Sequence, residues 1–149
     1  MIDSTSRLRG EVHQMLRADD TASAKKRCDD ELLIASAEAK PRILAFRAEV
    51  HESAGDIDLA YADWFRAIET SSGIAQVGML YGLMIMQFKY REYREAIHTG
   101  RRTIEAELAV GTARFLNSTR LHVAASHVQL SEWTQAEIVS LEVSPETSD

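Results

Sequence analysis

The sequence AGDIDLA, residues 54–60, joins a turn to the beginning of a helix. Glycine favours the end of one helix, and the aspartate after it can cap the start of the next. A similar order of acidic residue, bulky apolar residue, two spacers and alanine recurs in EYREA, residues 92–96, and in EWTQA, residues 132–136. The closing alanines, at positions 60, 96 and 136, lie 36 and then 40 residues apart. This period is typical of repeated helix–turn–helix pairs.

These residue types have a common physical role in a pair of helices. The bulky residue begins the second helix and fills the space between the pair, and the alanine lets the two helix backbones approach closely. Ala24 lies 36 residues before Ala60, which indicates a degenerate copy near the start of the chain. The predicted organisation is one domain, residues 1–143, with a degenerate pair at 5–39, repeats at 41–72, 77–110 and 112–143, and a disordered tail at 144–149.

Composition favours an all-α fold. The chain has 149 residues, which suits one hydrophobic core, and its 45% apolar and 27% charged residues are ordinary for a globular domain. It contains only 7 glycines and 2 prolines. So few backbone breakers argue against a β-sandwich, which needs many turns. The prediction is therefore an all-α protein of about eight helices.

Charge limits the kinds of partner. The chain carries 17 basic and 23 acidic residues, a formal charge of −6. Nucleic acids and anionic membranes attract proteins that neutralise negative charge, so neither is expected as the main partner. The first residues lack the apolar run of a secretory signal, and no apolar run is long enough for a membrane span. With a single cysteine, Cys28, the chain is predicted to lie in the reducing cytoplasm.

The most apolar part of the sequence is VGMLYGLMIMQFKY, residues 77–90. As a helix it would be about 21 Å long, too short to cross a membrane. In a stack of helix pairs, the first helix of a middle pair is covered on three sides by its partner and its two neighbours. Gly78 and Gly82 are expected to let a neighbouring helix approach closely. The fourth side of the segment is predicted to face a binding partner.

The repeat resembles the tetratricopeptide repeat. In residues 41–72 the matching residues are Ala48, Gly55, Asp56, Ala60, Trp64 and Ala67. In the later copies they are Leu80, Leu83, Tyr93, Ala96, Ala124 and Ala136. The second copy departs at Arg91, where glycine is usual, and at Gly100, where an aromatic residue is usual. The resemblance implies a right-handed superhelix of antiparallel helix pairs, with an irregular helical bundle as the alternative.

The resemblance also implies a binding groove. In tetratricopeptide proteins the first helix of each pair lines a concave groove that binds a helix or an extended peptide. The residues that would line it here are Tyr81, Ile85, Phe88 and Lys89 from the second repeat, Leu121, Ala125, Val128 and Gln129 from the third, and Arg42, Glu49 and Glu52 from the first. Alternatively, residues 5–18 cover the apolar end of this groove, or the same surface forms a homodimer.

Two kinds of binding protein fit this expectation. The stretch LHVAASHVQL, residues 121–130, is similar to one helix of class II type III secretion chaperones, which implies a chaperone that holds an apolar segment of a secreted protein. The alternative is a cognate inhibitor, such as a toxin-immunity protein, that uses acidic surface against a basic toxin. No lysine or arginine follows Arg120, whereas several acidic residues do.

Catalytic motifs are scarce. His51-Glu52 begins like a zinc-protease helix, but no histidine follows at the required spacing. Glu95 and His98 form half of a di-iron pattern without a second copy. No glycine loop for phosphate is present, and Cys28 has no evident base. We therefore expect no catalytic residue, no metal and no cofactor. A small helical hydrolase is the alternative, and it would need a polar pocket.

Overall fold

The structure, a computed structural model, describes residues 3–144, and within them the regular secondary structure is entirely helical. The helices are α1 (Ser4–Arg17), α2 (Thr21–Ile34), α3 (Lys40–Ser53), α4 (Ile57–Glu69), α5 (Gly73–Lys89), α6 (Tyr93–Val110), α7 (Leu116–Gln129) and α8 (Trp133–Leu141). The prediction of an all-α fold with about eight helices is confirmed. In residues 3–144, no helix combines the length and the apolar character that a membrane span requires.

The same turn joins α1 to α2, α3 to α4, α5 to α6 and α7 to α8. In each turn one residue adopts the left-handed conformation: Asp19 (φ 58°), Gly55 (φ 84°), Arg91 (φ 63°) and Ser131 (φ 59°). The amide of the next residue donates to a carbonyl five positions earlier, at 2.8–2.9 Å, which satisfies the end of the first helix. The four helix pairs therefore share one local geometry, and residues 5–39 include such a pair.

Three of these turns hold a side chain where glycine would be the unstrained choice. Arg91, at the position where the repeat pattern predicts glycine, takes the left-handed conformation. Asp19 in the first pair and Ser131 in the last pair do the same. The left-handed region disfavours residues that have a β-carbon, so the surrounding helices impose this geometry on all three.

The described chain forms two compact units, residues 3–72 and residues 73–144. In the first unit, α1 packs on α2 and α3, α2 packs on α3, and α3 packs on α4. Its core contains Leu8, Val12, Ala24, Cys28, Ile43, Phe46 and Val50. The repeat alanines Ala24 and Ala60 are both buried, as their role between paired helices requires.

In the second unit, α6 packs on α5 and α7, α7 packs on α8, and α5 also touches α7. The apolar segment forms most of α5, and its buried side chains are Val77, Met79, Leu80, Leu83, Met84, Met86 and Gln87. The repeat alanines Ala96 and Ala136 are buried here too. This core explains why α5 carries apolar residues on nearly every side.

The close approach of helices in the second unit occurs at Gly100, not at Gly78. A β-carbon at position 100 would lie 2.4 Å from Cγ2 of Val123 and 3.1 Å from Sδ of Met84. A β-carbon at position 78 would meet no atom of the second unit within 4 Å. The expectation that Gly78 lets a neighbouring helix approach is therefore wrong for this unit. The glycine that replaces the usual aromatic residue performs that role.

The end of the described chain is fixed to α7. The Asn117 side-chain amide donates to the carbonyl of Ser144 at 3.0 Å and accepts from its amide at 3.1 Å. Arg120 donates to the carbonyl of Glu142 at 3.0 Å. Residues 145–149 of the predicted tail lie outside the described residues.

Candidate functional site

In the second unit, the predicted groove residues of α5 and α7 lie side by side. The Tyr81 hydroxyl and the Ser118 hydroxyl share a hydrogen bond of 2.7 Å. The Tyr81 ring stacks on Phe115 with 4.4 Å between ring centroids. Further along both helices, the Phe88 ring meets the edge of His122 at 5.1 Å. The two helices therefore run in the same direction and share one face.

Contacts within the unit fix the aromatic rings of this face. Nδ1 of His122 donates to the Ser118 carbonyl at 2.7 Å, so the imidazole is held in one orientation. Phe88 also packs edge-on against Tyr93, with 5.6 Å between centroids. Edge-to-face aromatic pairs of this kind add stability beyond their buried area. These rings therefore form a rigid part of the surface shared by α5 and α7.

The outer part of this surface is apolar and open. We define the α5–α7 face as Tyr81, Ile85, Phe88, Leu121, Ala125 and Val128. Leu121 is 53% exposed and Val128 is 38% exposed, while the other four members are partly buried. Lys89 and Gln129 are exposed at the ends of α5 and α7. The structure therefore brings together the predicted residues of the second and third repeats, and their role in binding a partner stays a prediction.

The predicted residues of the first repeat lie in the first unit, where α1 contacts two of them. Arg42 donates to the Thr5 hydroxyl at 3.1 Å. The Glu49 carboxylate lies 3.1 Å from Nε2 of His13. Glu52 is partly buried on the same helix. This stripe of α3 is polar and partly covered by α1, and whether it binds a partner stays a prediction.

The first unit also contains a partly buried ionic cluster that the sequence did not reveal. The Arg47 guanidinium donates to both carboxylate oxygens of Asp63, each at 2.8 Å, and to Asp29 at 3.0 Å. Nε2 of His51 lies 3.5 Å from Asp63. The hydrogen bonds that Arg47 donates to Asp63, opposed by partial burial and reinforced by Asp29, raise the pKa of Arg47. The cluster joins α2, α3 and α4.

A cleft opens beside this cluster. Its volume is about 480 Å³, within the range of small-molecule sites, and its lining residues are Leu32, Ala37, Lys40, Leu44, Arg47, Arg66 and Thr70. Leu32 and Leu44 give it an apolar wall, while three of the lining side chains are cationic. No signal in the sequence placed these residues together.

Two further groups that could react, Cys28 and His127, lie buried inside their units. Burial and the nearby charge of Asp29 raise the pKa of the Cys28 thiol to about 12, so the thiol stays protonated and unreactive at neutral pH. Nδ1 of His127 donates to Glu132 at 3.1 Å. Residues 3–144 contain no group of three or more histidine, cysteine or acidic side chains arranged to hold a metal ion.

The outer side of α8 is a second exposed apolar surface. We define the α8 face as Trp133, Ile138 and Leu141, which are 64%, 55% and 79% exposed. Ala136, on the opposite side of the helix, is buried. In α6, the positions 40 residues before Ile138 and Leu141 hold His98 and Arg101, which are exposed polar residues. The last pair thus carries apolar side chains where the preceding pair carries polar ones.

No protein-family model matches the chain, and a search of curated proteins found no match.

Proposed function

We propose that this chain is a non-catalytic, cytoplasmic binding protein whose four helix pairs form a right-handed, tetratricopeptide-like superhelix. The recurring left-handed turn and the buried alanine early in each second helix support this proposal, because both belong to the repeat pattern. The proposed ligand is an apolar helix or extended peptide of another protein, as expected of a secretion-type chaperone.

The strongest support for this proposal is the exposed apolar surface of the α5–α7 face. Its aromatic rings are fixed by contacts within the unit, so these side chains would lose little conformational entropy when a partner binds. Leu121 and Val128 extend beyond these rings into solvent. Since each is already about half buried, complete burial of each by a partner would contribute roughly half of the 1.5–3 kcal/mol gained by burying a fully exposed side chain. A surface of this kind favours an apolar partner.

The test is a pull-down from the native cell with Leu121→Asp compared with Leu108→Asp. Leu108, on α6, is 59% exposed, close to the 53% of Leu121, so the two changes have similar consequences for folding. The unchanged protein and Leu108→Asp should retain the same partner, and Leu121→Asp should lose it. Retention should persist in about 1 M salt, where charge interactions are screened beyond about 3 Å. Equal retention by both variants would exclude the α5–α7 face.

The α8 face favours a second candidate function, a cognate inhibitor that binds a basic protein such as a toxin. Glu137 lies between Trp133 and Ile138 and forms no ion pair with any of residues 3–144. The sequence after Arg120 contains no lysine or arginine. An apolar surface with acidic surroundings complements a basic amphipathic partner. Trp133→Ala and Glu137→Lys should then abolish binding, and salt should weaken it, whereas Leu121→Asp should not.

A homodimer is the third candidate. Two copies that met through their α8 faces would bring acidic residues together, which disfavours that contact. Two copies that met through their α5–α7 faces would not suffer this repulsion. Sedimentation measured over a range of protein concentrations separates the possibilities, because only a homodimer changes its mass with concentration in the absence of any other protein.

A further inference from the structure

The cleft of the first unit combines an apolar wall with a fixed cation. Arg47, at one side of the cleft, is held by two hydrogen bonds to Asp63 and one to Asp29, so its position is set before any ligand arrives. Leu44, one turn earlier on α3, is buried and forms part of the apolar wall with Leu32. The cleft therefore presents a preorganised polar end beside hydrocarbon.

Two further cations line the cleft without an acidic partner. Lys40 and Arg66 are exposed, and neither forms an ion pair with any residue between 3 and 144. In contrast, the exposed Lys25 and Lys26 on α2 pair with Asp29 and Asp30 at 2.8 Å. Because the charge of Arg47 is already balanced by Asp29 and Asp63, Lys40 and Arg66 supply the excess positive charge of the cleft.

The backbone at the start of α3 adds little to the attraction for an anion. The Lys40 amide donates to the Ser36 carbonyl at 3.1 Å, and Pro41 has no N–H to offer. The side chains of Lys40 and Arg66 therefore supply this attraction. Leu33 and Ile34, which follow Leu32 at the end of α2, are among the most exposed apolar residues in the described chain. Cations and exposed hydrocarbon thus occur within one short region.

We propose that this cleft binds a carboxylate attached to an apolar group, with Lys40 and Arg66 holding the carboxylate and Leu32 and Leu44 contacting the apolar group. The carboxylate can come from an alkanoate or from the C-terminus of a peptide that ends in apolar residues. Both sources have the same chemistry at the cleft, and no bond is made or broken. This site is separate from the α5–α7 face.

Isothermal titration calorimetry on the full chain tests the proposal with four probes. Decanoate and N-acetyl-leucyl-leucine carry both groups, whereas decanol lacks the charge and acetate lacks the apolar tail. We expect one saturable site for decanoate, for the dipeptide or for both, and the tighter of the two identifies the source of the carboxylate. Decanol and acetate should bind at least about tenfold more weakly, since each loses one of the two interactions.

Three variants locate the site. Lys40→Gln and Arg66→Gln should each weaken binding of the better probe roughly tenfold, because each removes a charge-assisted hydrogen bond. Lys26→Gln is the matched control, since it removes an exposed lysine that pairs with Asp30 outside the cleft, and it should bind as the unchanged protein does. Circular dichroism shows whether each variant is folded. Absence of saturable binding, equal binding of decanol, or unchanged affinity in both cleft variants would overturn the proposal.

Discussion

The two units of this protein contain helix pairs with the same turn but differ in how their helices are joined. The first unit joins its helices through an ion pair between buried Asp63 and partly buried Arg47, and α1 contacts the polar stripe of α3 through Glu49 and Arg42. The second unit buries an almost wholly apolar helix and leaves Leu121 in solvent. This difference shows that two sets of residues have separate roles. Turn residues and small residues determine how the helices pair, and the exposed residues determine what each unit can bind.

The two units should respond differently to mutation. Polar interactions should dominate the response of the first unit, because its helices are joined by ion pairs as well as by apolar packing. Steric fit should dominate the response of the second unit, because its helices meet at a glycine.

Loss of Asp63 should have the largest effect. Asp63→Ala leaves the Arg47 guanidinium with only Asp29 as an acidic partner in a partly buried site, and removal of one member of a buried ion pair costs about 3 kcal/mol or more. Urea unfolding measures the free energy of unfolding directly.

The matched control for Asp63 is Glu49→Ala. Its pair with His13 is exposed, and such pairs contribute about 0–1 kcal/mol. Equal effects of the two changes would contradict the claim that the first unit depends on its buried charges. Asp63→Asn, which keeps the shape of the side chain, should be nearly as destabilising as Asp63→Ala.

Gly100→Ala tests steric fit in the second unit. A β-carbon there would lie 2.4 Å from a buried methyl group of Val123, so α6 and α7 must separate, at a cost of about 2 kcal/mol. Gly78→Ala, in an open helical position, should instead stabilise by about 0.5–1 kcal/mol. Thermal unfolding of both variants checks the contrast in sign. The double change Gly100→Ala with Val123→Ala should tolerate the new methyl group better than Gly100→Ala alone.

The shared turn predicts opposite effects at equivalent positions of the two units. Gly55→Ala places a β-carbon in the left-handed region and should destabilise by about 1 kcal/mol. Arg91→Gly relieves the same strain and should stabilise by up to about 1 kcal/mol, less the entropy that glycine adds to the unfolded chain. The urea midpoints of the two variants should therefore move in opposite directions. Movement in the same direction would contradict a common turn geometry.

The smallest effect concerns pH and the last helix pair. The hydrogen bond from His127, opposed by desolvation and aided by Arg94, lowers the pKa of Glu132 below its ordinary value of 4.5. A lowered folded-state pKa stabilises the protein above the ordinary value, and the contribution is lost as pH falls through the folded-state pKa. Glu132→Gln should therefore unfold at lower urea near neutral pH and at nearly the same urea as the unchanged protein well below pH 4.5. A difference that grows in acid would contradict this sign.

Local features of the fold were predictable from the sequence. The residues that form turns and the alanines between paired helices act within a few positions, so their spacing predicted the helix pairs, including the degenerate first one. The second unit also brings together the predicted residues of α5 and α7, because helices at equivalent positions of neighbouring pairs lie side by side.

Features that depend on contacts between helices were not predictable. Arg47 and Asp63 lie on different helices, and nothing in their spacing distinguishes them from other charged pairs. Gly78 and Gly100 look alike in sequence, yet only the second faces another helix at close range. Helix α7 begins at Leu116 because the buried Glu107 side chain accepts the Phe115 amide at 2.7 Å, a contact across a turn. The α8 face and the cleft likewise appear only when the elements are placed in space.

The most direct test of the proposed binding function is photo-cross-linking in the native cell from a benzophenone side chain placed at position 121, compared with position 108. The two positions are similarly exposed but lie on different helices. We predict one dominant adduct with another protein from position 121, retained in high salt, and none from position 108. The same adducts from both positions, no adduct at all, or an adduct of two copies of this chain would contradict the claim that the α5–α7 face binds a different protein.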